Sequence, residues 1–260
     1  NVCFINYTDV IQITNKKIEP FFISSADNFY PRPARNERNE FRVTFNIKVE
    51  TPEKLNVVSQ GEKLSDFVKN GNRTVIWREN KPQEEIILIA DHYQVFTARH
   101  QSISLYAYLH DNDNALAKKY FKATRSYIDL YSKLIAPYPY KKFALVENSK
   151  QTGYGMPSFT LLGSRIIRFP FILQTSYPHE ILHNWFGNGV YIRPDSGNWA
   201  EGLTTYLADH LLSEQMGKGG QYRLQELMKY SNYVNEKNDF PLENFKGRDS
   251  MVSQAIGYGK

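Results

Sequence analysis

The sequence contains one cysteine among 260 residues, Cys3, so no disulfide can form within the chain. No apolar run approaches the roughly 18 residues that cross a bilayer, and we expect no membrane insertion by this segment. The formal net charge is +5, but Lys and Arg form no block, which argues against nucleic acid as a partner. Internal repeats and low-complexity segments are also lacking. A folded globular chain remains, and its 41% of hydrophobic residues suffices for substantial cores.

The first part of the chain is rich in short strand patterns. Residues 41–50 alternate apolar and polar side chains, which is typical of a strand with one buried face. Turn residues separate further candidate strands at 10–14, 21–23, 55–59, 74–77, 86–90, 93–97 and 103–109. Repeated strands without helices between them predict an antiparallel β-sandwich, which we assign to residues 1–110.

The pattern changes near residue 110. From Leu116 to Leu134, apolar residues recur at steps of three and four, which predicts a helix over 112–135 that packs into a core. A buried strand is expected at 143–146. We therefore place a second domain at 111–260, and the whole chain in the α+β class.

Residues 178–188 read PHEILHNWFGN and carry the strongest chemical signal. On a helix, His179 and His183 are four residues apart and therefore share a face, with Glu180 beside them. The remaining side chains are mostly apolar, which predicts a buried helix. Burying two imidazoles and a carboxylate without partners would cost about several kcal/mol, and a bound metal with its polar shell would satisfy all three groups. The spacing H-E-x-x-H is typical of zinc metallopeptidases.

A third ligand is available on a second predicted helix. Residues 198–210 favour a helix that Asn198 caps, with Glu201 in its first turn. Two histidines and one glutamate leave a tetrahedral zinc one position for water, which is the open, catalytic kind of site. The sequence thus predicts one Zn²⁺ per chain, held by His179, His183 and Glu201.

In these motifs and their order, the chain resembles the gluzincin zinc aminopeptidases related to membrane alanyl aminopeptidase. The matching segments are HEILH at 179–183, WFGN at 185–188, EGLTTY at 201–206 and YGK at 258–260. Two departures lie close together. The number of residues between His183 and Glu201 is 17, one fewer than is usual in the family, and Ala200 stands where the family generally has Asn.

The resemblance implies a thermolysin-like α/β catalytic domain, which we expect to be incomplete at its C-terminus. It also implies a peptide or protein substrate and a cell-envelope or periplasmic location. Glu180 would act as the general base on a water. Tyr258, from the family's Y-x-K, would stabilise the negative charge that develops on the substrate carbonyl.

A third departure concerns the substrate contacts. The family has G-x-M-E-N at a strand edge, where the Glu grips the free α-amino group. The corresponding contacts here would be Gly155, Met156 and Pro157. A proline offers neither a negative charge nor an N–H, so the usual amine anchor is lost. Either another carboxylate such as Glu147 takes its place, or the protein does not require a free N-terminus.

The sequence therefore predicts a zinc-dependent, aminopeptidase-like metallopeptidase with altered recognition of the substrate N-terminus. Two alternatives stay open. One is a thermolysin-like endopeptidase, and the other is a non-catalytic relative that uses the fold to bind a partner. No signal in the sequence bears on the oligomeric state.

Overall fold

The structure is a computed structural model that describes residues 20–32, 41–150, 153–193 and 195–259. The chain forms two compact units. The first takes the described residues up to Asp113 together with Tyr140–Phe143, and the second takes Asn114–Pro139 and the chain from Ala144 onward. These units differ from the predicted limits 1–110 and 111–260 mainly in residues 140–143. The predicted strand at 10–14 lies outside the described residues.

The first unit consists of antiparallel strands. Its strands are β1 (Phe21–Ile23), β2 (Val43–Pro52), β3 (Asn56–Ser59), β4 (Glu62–Lys69), β5 (Asn72–Gln83), β6 (Leu88–Asp91), β7 (Gln94–His100) and β8 (Ile103–Leu109). One three-stranded sheet has the order β1-β6-β3, another has the order β2-β5-β4, and β7 pairs with β8.

Side chains that alternate between the two faces of each strand explain the core of this unit. Apolar residues from both three-stranded sheets, among them Val57, Val75, Trp77 and Leu88, form one hydrophobic cluster. The sequence patterns had not indicated β4. Its charged and polar residues make a poor strand pattern, and pairing with β5 determines its conformation. Mixed strands and helices with antiparallel sheets agree with the α+β class, whereas the sandwich and the thermolysin-like arrangement stay predictions.

Three strands position the site: β9 (Lys142–Asn148), which belongs to the second unit from Ala144 onward, β10 (Gly153–Met156) and β11 (Phe159–Gly163). β11 runs parallel to β9 and antiparallel to β10, which lies at the edge of the sheet. A two-residue turn of Pro157 and Ser158 joins β10 to β11. Ser158 has a φ of 67°, and its N–H donates to Asn184 Oδ1 at 2.8 Å. Proline suits the first position of such a turn.

The helices of the second unit are α1 (Asn114–Leu134), α2 (Ser176–Leu182), α3 (Trp199–Thr204), α4 (Leu211–Gln215), α5 (Gly219–Tyr233) and α6 (Met251–Gly259). A π-helical segment, Thr205–His210, joins α3 to α4. The helix predicted over 112–135 corresponds to α1. Among the described residues, no helix combines the length and the apolar character needed to span a membrane.

Side-chain hydrogen bonds fix the short helix α2 in place. Tyr177 is fully buried, and its hydroxyl lies 2.5 Å from Thr124 Oγ1 on α1. Just beyond the helix, the Trp185 indole N–H donates to the Ala136 carbonyl at 2.8 Å. With buried hydroxyl and indole groups satisfied in this way, the position of α2 is specified by polar contacts as well as by apolar packing.

Helix α6 packs tightly against a buried aromatic ring. A Cβ atom added at Gly257 would lie 2.3 Å from the ring of Phe245, which is only 1% exposed. A Cβ atom at Gly259, in the same helix, would meet nothing closer than 3.7 Å. The two glycines therefore differ in packing while they share one helix.

Gly257→Ala should destabilise the protein by about 1–3 kcal/mol, because overpacking outweighs the gain in helix propensity. Gly259→Ala is the matched control and should be neutral or stabilising by up to about 1 kcal/mol. Urea unfolding measures both free energies. Equal effects of the two substitutions would contradict this packing of α6.

Candidate metal centre

The end of α2 differs from the sequence prediction. The motif in residues 178–188 predicts a helix, but α2 ends at Leu182, and His183 occupies its C-terminal cap. The chain then folds back, with the Asn188 N–H donating to the His183 carbonyl at 3.0 Å. Gly187 has a φ of 99°, a conformation that residues with a side chain rarely adopt. The glycine therefore serves the turn after the helix.

The three predicted ligands converge on one point. Glu201 Oε2 lies 3.4 Å from His179 Nε2 and 3.7 Å from His183 Nε2. Ligand atoms 2.0–2.2 Å from a tetrahedral zinc are separated from one another by about 3.3–3.6 Å. The separations from Glu201 are close to these values. One oxygen and two imidazole nitrogens are also a donor set that suits zinc.

Hydrogen bonds on the outer side orient both imidazoles. His179 Nδ1 lies 2.8 Å from Asp209 Oδ2, and His183 Nδ1 lies 3.1 Å from the Phe186 carbonyl oxygen. Each Nδ1 therefore carries a proton and donates it to an acceptor, which leaves Nε2 as the ring nitrogen that faces Glu201. Outer partners of this kind fix the tautomer of metal-binding histidines. The residues present therefore fit a zinc ion.

A π turn puts Asp209 in this position. Asp209 follows Glu201 by eight residues. In a regular α-helix, residues seven apart share a face, while the eighth lies about 80° away. The segment Thr205–His210 is π-helical, and its wider turn accommodates one additional residue. Asp209, rather than Ala208, therefore lies behind His179.

The charges of the centre influence one another strongly. Burial by itself would lower the pKa of His179, but its hydrogen bonds to Asp209 and Glu201 raise that pKa to about 10. Burial would raise the pKa of Glu201, yet both histidines hold it well below its usual value. Glu201 is thus ionised, as a metal ligand must be.

Glu180 is on α2, and its side chain faces the edge strand β10. A Cβ atom at Gly155 of β10 would lie 2.9 Å from Glu180 Oε2 and 3.0 Å from the Glu180 carbonyl oxygen. The glycine thus allows α2 and β10 to approach each other. Burial raises the pKa of Glu180, and the neighbouring histidines oppose that rise. A carboxylate with a raised pKa next to the candidate metal position is well suited to accept a proton from water.

Tyr258 on α6 lies against the same centre. Its ring stacks on the His179 imidazole, with centroids 6.4 Å apart and planes 12° from parallel. Burial raises the pKa of the Tyr258 phenol, and so does the negative charge of Glu201. The phenol therefore keeps its proton and is a hydrogen-bond donor next to the ligands.

A cleft of about 510 Å³ opens beside His179, Glu180 and Tyr258. β10 contributes Gly153 and Tyr154 to the lining, whereas none of the predicted substrate contacts, Gly155, Met156 and Pro157, is among the lining residues. Others come from well-separated parts of the chain: Thr205, Asp209, Tyr222, Glu226, Lys229, Arg248 and Gln254. Of these residues, only Asp209 could have been predicted from the sequence. It is a carboxylate on the same predicted helix as Glu201, and such a group can accept a hydrogen bond from a metal-binding histidine.

Glu147, the suggested substitute for the missing amine anchor, has another partner. Its side chain is 1% exposed, and Oε1 lies 2.6 Å from Nη1 of Arg168. A buried carboxylate held by a guanidinium is already neutralised. Glu147 is therefore poorly suited to bind a substrate ammonium.

Several solved structures that match this fold are M1 zinc metallopeptidases. An M1 zinc metallopeptidase from Deinococcus radiodurans matches with 18% identity and a TM-score of 0.62, over 83% of this chain and 49% of that chain. A glutamate-to-alanine variant of an M1 zinc metallopeptidase from the same organism has 17% identity and a TM-score of 0.63, over 83% and 50%. A variant bound to a Tyr-Ser-Ala substrate has 17% identity and a TM-score of 0.61, over 83% and 49%.

The chain spans about half the length of these enzymes. At such identities, the likeness establishes the fold of the matched region. No family model and no curated protein matches the sequence.

Asp209→Asn should weaken Zn²⁺ binding by about 10- to 100-fold, because the amide is a poorer acceptor for His179 Nδ1–H. Competition with a chelator of known affinity measures the change. Asp239→Asn, at an exposed carboxylate that accepts from the Tyr230 hydroxyl, is the control and should leave the affinity as it is. An unaltered affinity in Asp209→Asn would mean that Asp209 does not support the site.

Proposed function

We propose that this protein is a zinc-dependent, aminopeptidase-like metallopeptidase with altered recognition of the substrate N-terminus. The convergence of His179, His183 and Glu201 beside Glu180 is the observation that carries the proposal. The fold likeness to M1 zinc metallopeptidases supports it, including the likeness to one with a bound Tyr-Ser-Ala substrate.

His179, His183 and Glu201 would hold the zinc, which when bound supplies a Lewis acid for the scissile carbonyl and lowers the pKa of a water. Glu180 takes the proton from the attacking water and later gives it to the leaving amine. The Tyr258 O–H donates to the carbonyl oxygen as negative charge develops there, so it stabilises the transition state more than the ground state.

The edge strand β10 supports an extended substrate. A peptide can add to such an edge through main-chain hydrogen bonds. Part of that edge is already used, because Asn188 Nδ2 donates to the Gly155 carbonyl oxygen at 2.9 Å. The bond fixes the strand against the turn that follows α2. The substrate would then lie along β10 with its scissile carbonyl near Glu180.

The charges near this edge favour altered handling of the substrate amine. Pro157 occupies a hairpin turn, and Glu147 is paired with Arg168. Besides Glu180 and Asp209 of the metal centre, Glu226 is the one carboxylate among the described residues that line the cleft. Its side chain forms an ion pair with Lys229 at 2.6 Å. Apart from Glu180 and Asp209 of the metal centre, no unpaired carboxylate of the described cleft thus remains for a free α-ammonium.

The test is hydrolysis of a tripeptide with a free N-terminus and of its N-acetylated form, both with a free C-terminus. We expect the zinc-loaded protein to cleave both, with kcat/KM values within about tenfold, the equivalent of 1.4 kcal/mol. Glu180→Gln should reduce both rates by about 10²- to 10⁴-fold while zinc is retained, because Glu180 is not a ligand.

Glu236→Gln, at an exposed glutamate, is the matched control and should behave like the wild type. Rapid release of N-terminal residues with no attack on the acetylated peptide would refute the altered recognition of the amine. Cleavage only at internal bonds of blocked peptides would favour the thermolysin-like endopeptidase. Zinc binding without any hydrolysis would favour the non-catalytic binding protein.

A further inference from the structure

The cleft extends from the metal centre toward a group of charged residues. Glu226 and Lys229 lie on α5, and Arg248 precedes α6. Because Glu226 and Lys229 form an ion pair at 2.6 Å, their charges largely cancel. Arg248 is exposed, and it has no ion-pair partner in the described part of the chain. Among the described residues that line the cleft, Arg248 is therefore a cation that no ion pair holds.

Arg248 lies close to the candidate catalytic tyrosine. Its guanidinium carbon is 5.5 Å from the centroid of the Tyr258 ring, and that ring stacks on the His179 imidazole. An extended peptide advances about 3.3–3.6 Å per residue. A group a few residues from the scissile bond can therefore reach the guanidinium while the carbonyl lies at the metal centre.

We propose that Arg248 is a specificity residue that binds a carboxylate of the substrate peptide. This inference rests on the proposed peptidase function. A guanidinium stays protonated and binds carboxylates through two parallel hydrogen bonds, and it repels an ammonium. The carboxylate is either the C-terminal α-carboxylate of a short peptide or an acidic side chain. The cleft thereby selects peptides by a negative charge beyond the cleaved bond.

Three peptides distinguish these sources: Ala-Ala with a free C-terminus, the C-terminal amide of Ala-Ala, and the C-terminal amide of Ala-Glu. For the zinc-loaded wild type, kcat/KM should be about tenfold or more higher for Ala-Ala than for its amide, because a charged hydrogen bond is lost in the amide. A high value for Ala-Glu amide would identify the side chain as an acceptable source, and a low value would restrict binding to the C-terminus.

Arg248→Gln should bring the ratio between Ala-Ala and its amide close to one, and Arg248→Lys should retain part of it. Arg193→Gln is the matched control, because Arg193 has a side chain that is 78% exposed and does not line the cleft. A ratio near one in the wild type, or a ratio that persists in Arg248→Gln, overturns the proposal.

Binding gives a readout that does not require turnover. Calorimetry on Glu180→Gln should detect tighter binding of Ala-Ala than of its amide, and the preference should be lost in Glu180→Gln combined with Arg248→Gln. If the wild type cleaves nothing but this preference is found, the carboxylate site stands and the peptidase function fails. If it cleaves all three peptides equally, the function stands and the carboxylate site fails.

Discussion

The site depends on two hydrogen bonds on the outer side of its histidines. Asp209 holds Nδ1 of His179 at 2.8 Å, and the Phe186 carbonyl holds Nδ1 of His183 at 3.1 Å. These bonds fix which nitrogen of each ring carries a proton, and they direct both Nε2 atoms toward Glu201. Without them, two imidazoles on a short helix could rotate or protonate and lose the common point that a metal requires.

The surrounding fold keeps these partners in place through close packing at glycines and through irregular backbone conformations. Gly155 lets the edge strand reach Glu180, and Gly187 permits the turn that supplies the Phe186 carbonyl. The π turn at Thr205–His210 accommodates an additional residue so that Asp209 reaches His179. Irregular backbone therefore occurs where the chemistry needs a side chain or a carbonyl at a defined position.

The sequence was informative where a motif and its periodicity coincide. H-E-x-x-H spacing and a helix signal around Glu201 predict three side chains that converge in the structure, and the stripe from Leu116 to Leu134 predicts α1. The end of α2 at Leu182 and the π turn could not be predicted, because tertiary contacts rather than local sequence patterns determine them. Asn198 occupies the N-terminal cap position of α3 as predicted, but its side chain makes no capping hydrogen bond. Arg248 belongs to none of the sequence motifs, so only the fold shows that it lines the cleft.

The most direct test of the account is the zinc content and the coordination of the purified protein. Metal analysis with X-ray absorption at the zinc edge should find one zinc per chain with two nitrogen and two oxygen ligands at about 2.0–2.2 Å, and no sulfur. Replacement of Glu201 by Ala should remove one oxygen ligand and most of the affinity. Absence of zinc, or a coordination shell that Glu201→Ala leaves as it was, would contradict the assignment of His179, His183 and Glu201 as the metal centre.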